Sequence, residues 1–315
     1  MQAQLDPRQK ARVLSASGLH AGSWLGVFPM TMHSTARGRH YQLALALRLG
    51  LELPELLPVR GIAPKCACGL PHDPYAFHPG VCRRGNRASL WTIRHDTFQQ
   101  MLTHVVRLLG YSVMSCSVGA GNWFGSNGYS SAKQSYKRAD VVLSGHLGPG
   151  RHLFLDTAVT CPAIGGALNA QPSSATAIGV AASLRAAKKV AKYQPLAEGV
   201  SSKFTPAVVE RFGACCDELV GFIKVLTGDG DRDALRADDF TFSAASRTTY
   251  MASLLVFGAV ISDAAMVERV IGMDVIDAEM AQAAGGRQRG AQGARRPTQQ
   301  DIEGSGGRFW YEMGM

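Results

Sequence analysis

Lys137-Arg138-Ala139-Asp140-Val141-Val142-Leu143 is followed by the turn-forming Ser144-Gly145-His146-Leu147-Gly148-Pro149-Gly150 and then by Leu153-Phe154-Leu155-Asp156-Thr157-Ala158-Val159-Thr160. Two short apolar, β-branched runs, each carrying one aspartate, read as the arms of a β-hairpin. If the hairpin is centred on Gly148, Asp140 stands opposite Asp156. Directly opposed side chains in an antiparallel pair have Cβ atoms about 4.5–5.5 Å apart, and like charges placed there repel. A divalent cation offsets that repulsion, since Mg2+ takes one or two carboxylates and leaves its other positions to water and phosphate oxygens. A register slipped by one residue would instead send the two aspartates to opposite faces of the sheet.

Composition sets the outer bounds. A chain of 315 residues, 46% hydrophobic and 18% charged, can bury a sizeable core. Its 33 Lys and Arg outnumber 24 Asp and Glu, and a net charge of +9 suits an anionic partner, nucleic acid first. The longest apolar run, Met251 to Ile261 with Ser253 inside it, is too short to span a membrane. Asp6, Arg8, Gln9 and Lys10 interrupt any apolar secretory leader. The chain is therefore expected to be intracellular, where seven cysteines do not make a disulfide framework and clustered ones call for a metal.

That cluster is Cys66-Ala67-Cys68, His72, His78 and Cys82. Cys66, Cys68, His78 and Cys82 make up the Cys3His donor set of a structural zinc site, with His72 competing for the place of His78. Gly69, Pro71, Pro74, Pro79 and Gly80 leave the segment without apolar periodicity, so only a bound metal would order it.

The remaining elements follow from periodicity. Leu90 to Leu109 has helical spacing and stops at Gly110; Tyr111 to Val118 is strand-like, and Gly119 to Ser131 is a long Gly/Asn/Ser-rich loop. After the two aspartate strands come a helix over Ala175 to Tyr193, a strand over Phe204 to Val209 and a helix over Cys215 to Leu226. The order is α-β-β-β-α-β-α, a small mixed sheet with helices on both faces. Glu210 reads as structural, pairing locally with an arginine. Phe242 to Ile271 is apolar on more than one helical face and should pack back on the domain. Ala284 to Gly307, rich in Gly, Gln and Arg, should be disordered and add electrostatic affinity for nucleic acid.

The knuckle, then Arg94-His95-Asp96, then Arg138-Ala139-Asp140 with fifteen residues before Asp156, resembles the C-terminal region of non-LTR retrotransposon reverse-transcriptase proteins that carry a restriction-enzyme-like endonuclease. In that family a Cys-Cys-His-Cys knuckle precedes an Arg/Lys-His-Asp/Asn signature and a Pro-Asp…Asp pair, and α-β-β-β-α-β is the core of the PD-(D/E)xK nuclease fold. Ala11-Arg12-Val13-Leu14-Ser15, Ala21-Gly22-Ser23-Trp24-Leu25, Phe28-Pro29 and Leu47-Arg48-Leu49-Gly50-Leu51 are similar to the segment that joins the reverse transcriptase to the knuckle. The resemblance covers roughly residues 10 to 270 and is specific in the order of its motifs. Two departures stand out: Ala139 replaces the proline, and Thr157-Ala158-Val159 stands where Glu-x-Lys would follow. In the resembling enzymes the lysine comes from the following helix. Here Lys188, Lys189 and Lys192 lie on it, Lys189 four residues before Tyr193 as in the family, with Ala186 in the place of a glutamate.

The resemblance implies an α/β fold with a restriction-endonuclease-like core. Its parts would be a helical linker-like segment over 1–60, a zinc knuckle over 61–89, the nuclease over 90–235, a helical extension over 236–283 and a tail over 284–315. It further implies a Mg2+-dependent endonuclease that nicks DNA to prime reverse transcription, working in the nucleus with DNA, and with element RNA as a second candidate partner. Asp140 and Asp156 would hold Mg2+, Lys189 or Lys192 would serve the attacking water, and Asp96 could add a third carboxylate. Arg94, His95, Arg138 and Lys188 would face the phosphate backbone. No polymerase motif is present. The missing proline and Glu-x-Lys equally allow a decayed copy in which the knuckle and basic surface bind nucleic acid without cutting it.

Overall fold

The computed structural model describes residues 5–27, 34–58, 64–66, 68–82, 88–115, 139–145, 147–163, 172–228 and 246–285. Arg138, the Gly119–Ser131 loop and the tail beyond residue 285 lie outside the described residues. The elements run α1 (Pro7–Ala16), α2 (Gly38–Leu49), α3 (Ala88–Leu108), β1 (Val113–Ser115), β2 (Val141–Ser144), β3 (His152–Thr160), α4 (Val180–Glu198), β4 (Lys203–Glu210), α5 (Asp217–Thr227) and α6 (Arg247–Gly285). The chain is a mixed α and β protein whose sheet has the order β1-β2-β3-β4; β1 to β3 are antiparallel, and β4 joins β3 in parallel through the α4 crossover.

The hairpin register follows from the turn. Gly145, Gly148 and Gly150 take φ of 77°, 103° and 70°, a region that side chains avoid, and Val141 pairs with Leu155 while Ser144 pairs with His152. The paired ladder ends at Val141–Leu155; one residue further, Asp140 N donates to Leu155 O at 2.9 Å, so Asp140 is out of step with Asp156 and the directly opposed pair expected from the hairpin is corrected, although the two carboxyl groups still meet side chain to side chain. Alternation sorts the two faces. Val142, Phe154 and Phe204 pack with Tyr193 and Ala197 of α4, while Val141, Leu143, Leu153 and Leu155 join the core that contains α3 and α6. Asp156 is therefore on the α4 face and Thr157 on the α3 face.

α4 begins without a side-chain cap, because Gly179 occupies the N-cap position at φ 71°. Glu210, 1% exposed at the end of β4, fills that role by accepting from Ala182 N at 3.0 Å. Burial pushes its carboxyl up, opposed by Ser15 and the backbone N–H groups of Ala182 and Ala181. The local Glu210–arginine pairing read from sequence is thus corrected: Arg211 turns away to Asp263, with Nε 2.5 Å from Oδ2.

α6 is the largest departure. By length and composition its Arg247–Gly272 portion could cross a membrane, which corrects the reading that the apolar run is too short, and 94% of its most apolar window is buried inside the protein. It packs along α3 and also touches α2, α5 and β4, so it is the centre of the core and no appendage. The approach is close: a Cβ at Gly258 would stand 2.6 Å from Met101 of α3.

Candidate active site and metal centre

Two sites flank the first half of α3. The first is the cysteine loop. Cys66 N donates to Leu70 O at 2.8 Å, Gly69 (φ 88°) turns the chain, and Cys68 N points at Cys66 Sγ. On the other arm Asp73 accepts from Phe77 N at 2.9 Å and His78 N at 2.7 Å, capping a helical turn in which Cys82 N donates to His78 O. His78 and Cys82, four residues apart, therefore share one face. The Sγ atoms of Cys66 and Cys82 lie 3.4 Å apart, Cys68 Sγ is 3.2 Å from His78 Nε2, and the four donor atoms all fall within 4.8 Å of one another. They could hold a metal ion, and the thiolate-rich donor set suits zinc. His72, buried with its ring centroid 5.9 Å from that of His78, is outside the four-donor group.

α3 holds this loop from the side. Trp91 Nε1 donates to Cys82 O at 3.1 Å, and Arg94 Nη1 reaches Gly80 O at 3.4 Å and Asp263 Oδ1 at 2.7 Å. Arg94 is 3% exposed, so its assignment to the phosphate backbone is corrected: its charge is spent inside the protein on Asp263 of α6. Arg211 completes the network, donating from Nη1 to Ala76 O at 2.6 Å.

One residue further along α3, His95 opens the second site. Its Nε2 lies 2.9 Å from Asp140 Oδ2 and its Nδ1 is 3.2 Å from Asp96 Oδ1. The hydrogen bond to Asp140 raises the imidazole to about 9, against the effect of burial, so His95 is a cation at neutral pH. Asp140 Oδ2 also accepts from Thr157 N at 2.5 Å and Thr157 Oγ1 at 2.8 Å. Burial alone would push Asp140 up, but His95 and Thr157 outweigh it and hold the carboxyl below its usual range. Asp156 goes the other way. Burial first, and the neighbouring Asp140 charge second, raise it to about 6 despite Lys189.

Lys189 Nζ donates to Asp156 Oδ2 and, at 2.9 Å, to Thr157 O. Among the three lysines weighed from sequence it alone is buried. Lys188 is exposed, and Lys192 is exposed with Nζ against its neighbour Tyr193, 2.8 Å from the hydroxyl. Asp96 has a side chain 54% exposed and meets the cluster only through His95, so it stands apart from the carboxylate pair. The site thus brings together Asp140, Asp156, Lys189 and His95. Thr157 and Gln99, whose Nε2 donates to Asp140 O, were not singled out by sequence. Helical phase could have selected Lys189, because Ala182, Ala186, Tyr193 and Ala197 form the buried stripe of α4 and Lys189 falls in step with them.

Comparison with protein-family models and with curated protein sequences finds no match to this chain.

Proposed function

We propose that the chain is a metal-dependent DNA endonuclease of the non-LTR retrotransposon type, with a restriction-endonuclease-like core and a zinc knuckle. The observation that carries the reading is the meeting of the Asp140 and Asp156 carboxyl groups with Lys189 of the next helix seated against Asp156. A carboxylate pair whose mutual repulsion helps raise Asp156 to about 6 is a site that a divalent cation would relieve. Asp140 and Asp156 would hold Mg2+, whose part is to polarise the phosphoryl oxygen and acidify bound water. An ammonium has three donors. Lys189 spends two on Asp156 and Thr157 O, which leaves one for the attacking water or a phosphate oxygen. His95, cationic at neutral pH and partly exposed, can meet the charge that builds on the phosphate. Lys188, exposed one residue from Lys189, is suited to a neighbouring phosphate.

A second reading has its own observation. His95 and Lys189 already give each carboxylate a cation, so the cluster is close to neutral without a metal, as a decayed nucleic-acid-binding module would be. Nicking of supercoiled plasmid separates the two. The wild type should cut only with Mg2+, and Asp156→Ala should lower the rate by about 100-fold or more while binding DNA equally or better. Cutting that survives in purified Asp156→Ala would remove the assignment. For a binding module the wild type should not cut, and its affinity should fall with salt by about 0.9 log units per decade for each duplex phosphate neutralised, or about 0.7 for single strands.

A further inference from the structure

We propose that Thr157 is the positioning residue of the carboxylate centre, holding Asp140 and Lys189 in register with Asp156 through three of its own polar atoms. The inference rests on the nuclease reading and deepens it. Thr157 sits where the antiparallel ladder stops: Val141–Leu155 is the last β2–β3 pair, while β3 goes on pairing with β4 through Thr157–Ala207. Past that point no β2 carbonyl meets Thr157 N, and the Asp140 side chain takes the N–H instead, at 2.5 Å. The hydroxyl adds a second donor to the same oxygen at 2.8 Å and lies 3.2 Å from His95 Nε2. The carbonyl of the same residue receives Lys189 Nζ at 2.9 Å.

Asp140 Oδ2 therefore collects Thr157 N, Thr157 Oγ1 and His95, which leaves its other oxygen to ligate a cation. Lys189 is fixed at the same time to Asp156 and to the backbone one residue on, so the distance between carboxylate and ammonium is set by a single peptide unit. A β-branched side chain suits the task because it has few χ1 choices, and at 1% exposure no water competes for the hydroxyl. Thr157 touches neither the phosphate nor the attacking water in this scheme. It acts through Asp140 and Lys189.

The test pairs Thr157→Val, which keeps shape and backbone but removes Oγ1, with Thr157→Ser, which keeps the hydroxyl. Mn2+ alone is titrated into each purified full-length protein by calorimetry, with Asp140→Ala as the blank, and plasmid nicking is measured in parallel. Groups that orient metal ligands typically contribute about 10–100-fold to affinity or activity, and Thr157→Val should lose that much in both readouts while its melting temperature stays near wild type. Thr157→Ser should recover most of the loss. Thr157→Ala removes the same hydroxyl and carries the comparison if the valine protein does not fold. Wild-type Mn2+ affinity in Thr157→Val, or equal impairment in Thr157→Ser, overturns the positioning role while the nuclease reading stands. A wild type that neither binds Mn2+ through Asp140 nor nicks overturns both.

Discussion

Wild-type protein should co-purify with one equivalent of zinc and Cys82→Ser protein without it, and in the latter the segment from residue 64 to 82 should loosen, its 64–72 arm exchanging amide hydrogens as an unfolded chain does. The size of the effect follows from the loop's composition. The arm from residue 64 to 72 has little apolar packing, its largest apolar side chain Leu70 being 40% exposed, while Ala76 and Phe77 tie the other arm to the core; structural zinc contributes about 10–16 kcal/mol in isolated finger peptides, comparable to the roughly 5–15 kcal/mol by which whole domains are stable. A single lost thiolate therefore removes the folded state of that arm and loosens the other. The four-donor geometry adds a contrast: His78→Ala should lose the metal, whereas His72→Ala should keep it, because His72 is outside the group. Because Trp91 and Arg94 hold the backbone at Cys82 and Gly80, protection should also fall in the first turns of α3. Full metal content in Cys82→Ser would show that other residues hold the ion.

Asp263→Asn should destabilise the protein by about 3–5 kcal/mol, the usual cost of leaving a buried charge without its partner. Asp263 is 1% exposed and lies 2.7 Å from Arg94 Nη1 and 2.5 Å from Arg211 Nε, so two guanidinium groups depend on it. Neither can turn to solvent, since their side chains are 4% and 0% exposed. The measurement is the urea midpoint at unchanged m. Arg39→Ala is the control: its pair with Glu55 is 47% and 36% exposed, and such pairs contribute only about 0–1 kcal/mol. A loss as small as that of the control in Asp263→Asn would mean that water reaches the buried network.

What sequence could and could not disclose has a physical pattern. The hairpin was legible because its glycines sit where positive φ is required and because strand alternation has a period of two, so the register from Val141–Leu155 to Ser144–His152 follows once the turn is centred, whereas the break at Asp140 leaves no mark in the sequence. The knuckle was legible because thiols and imidazoles have few other reasons to cluster. Arg94 was misread because its partner is 169 residues away on α6, and local sequence does not distinguish an arginine facing water from one facing a distant aspartate. Glu210 was misread for the same reason: it caps a helix that begins thirty residues earlier in the chain, across a crossover. Thr157 was passed over because its role is carried largely by main-chain atoms, which every residue possesses.

The burial of α6 has a consequence for how the protein is made. Residues 251–271 line the same core as Trp24, Leu43 and Phe98, so the core residues of α2 and α3 stay partly uncovered until α6, far downstream of them, has left the ribosome. Synthesis thus runs ahead of folding, and a 26-residue stretch apolar enough for a bilayer emerges only after the helices it covers. A nonsense codon placed after Lys192 and before Arg247 should yield an insoluble product even though it spares every residue of both candidate sites.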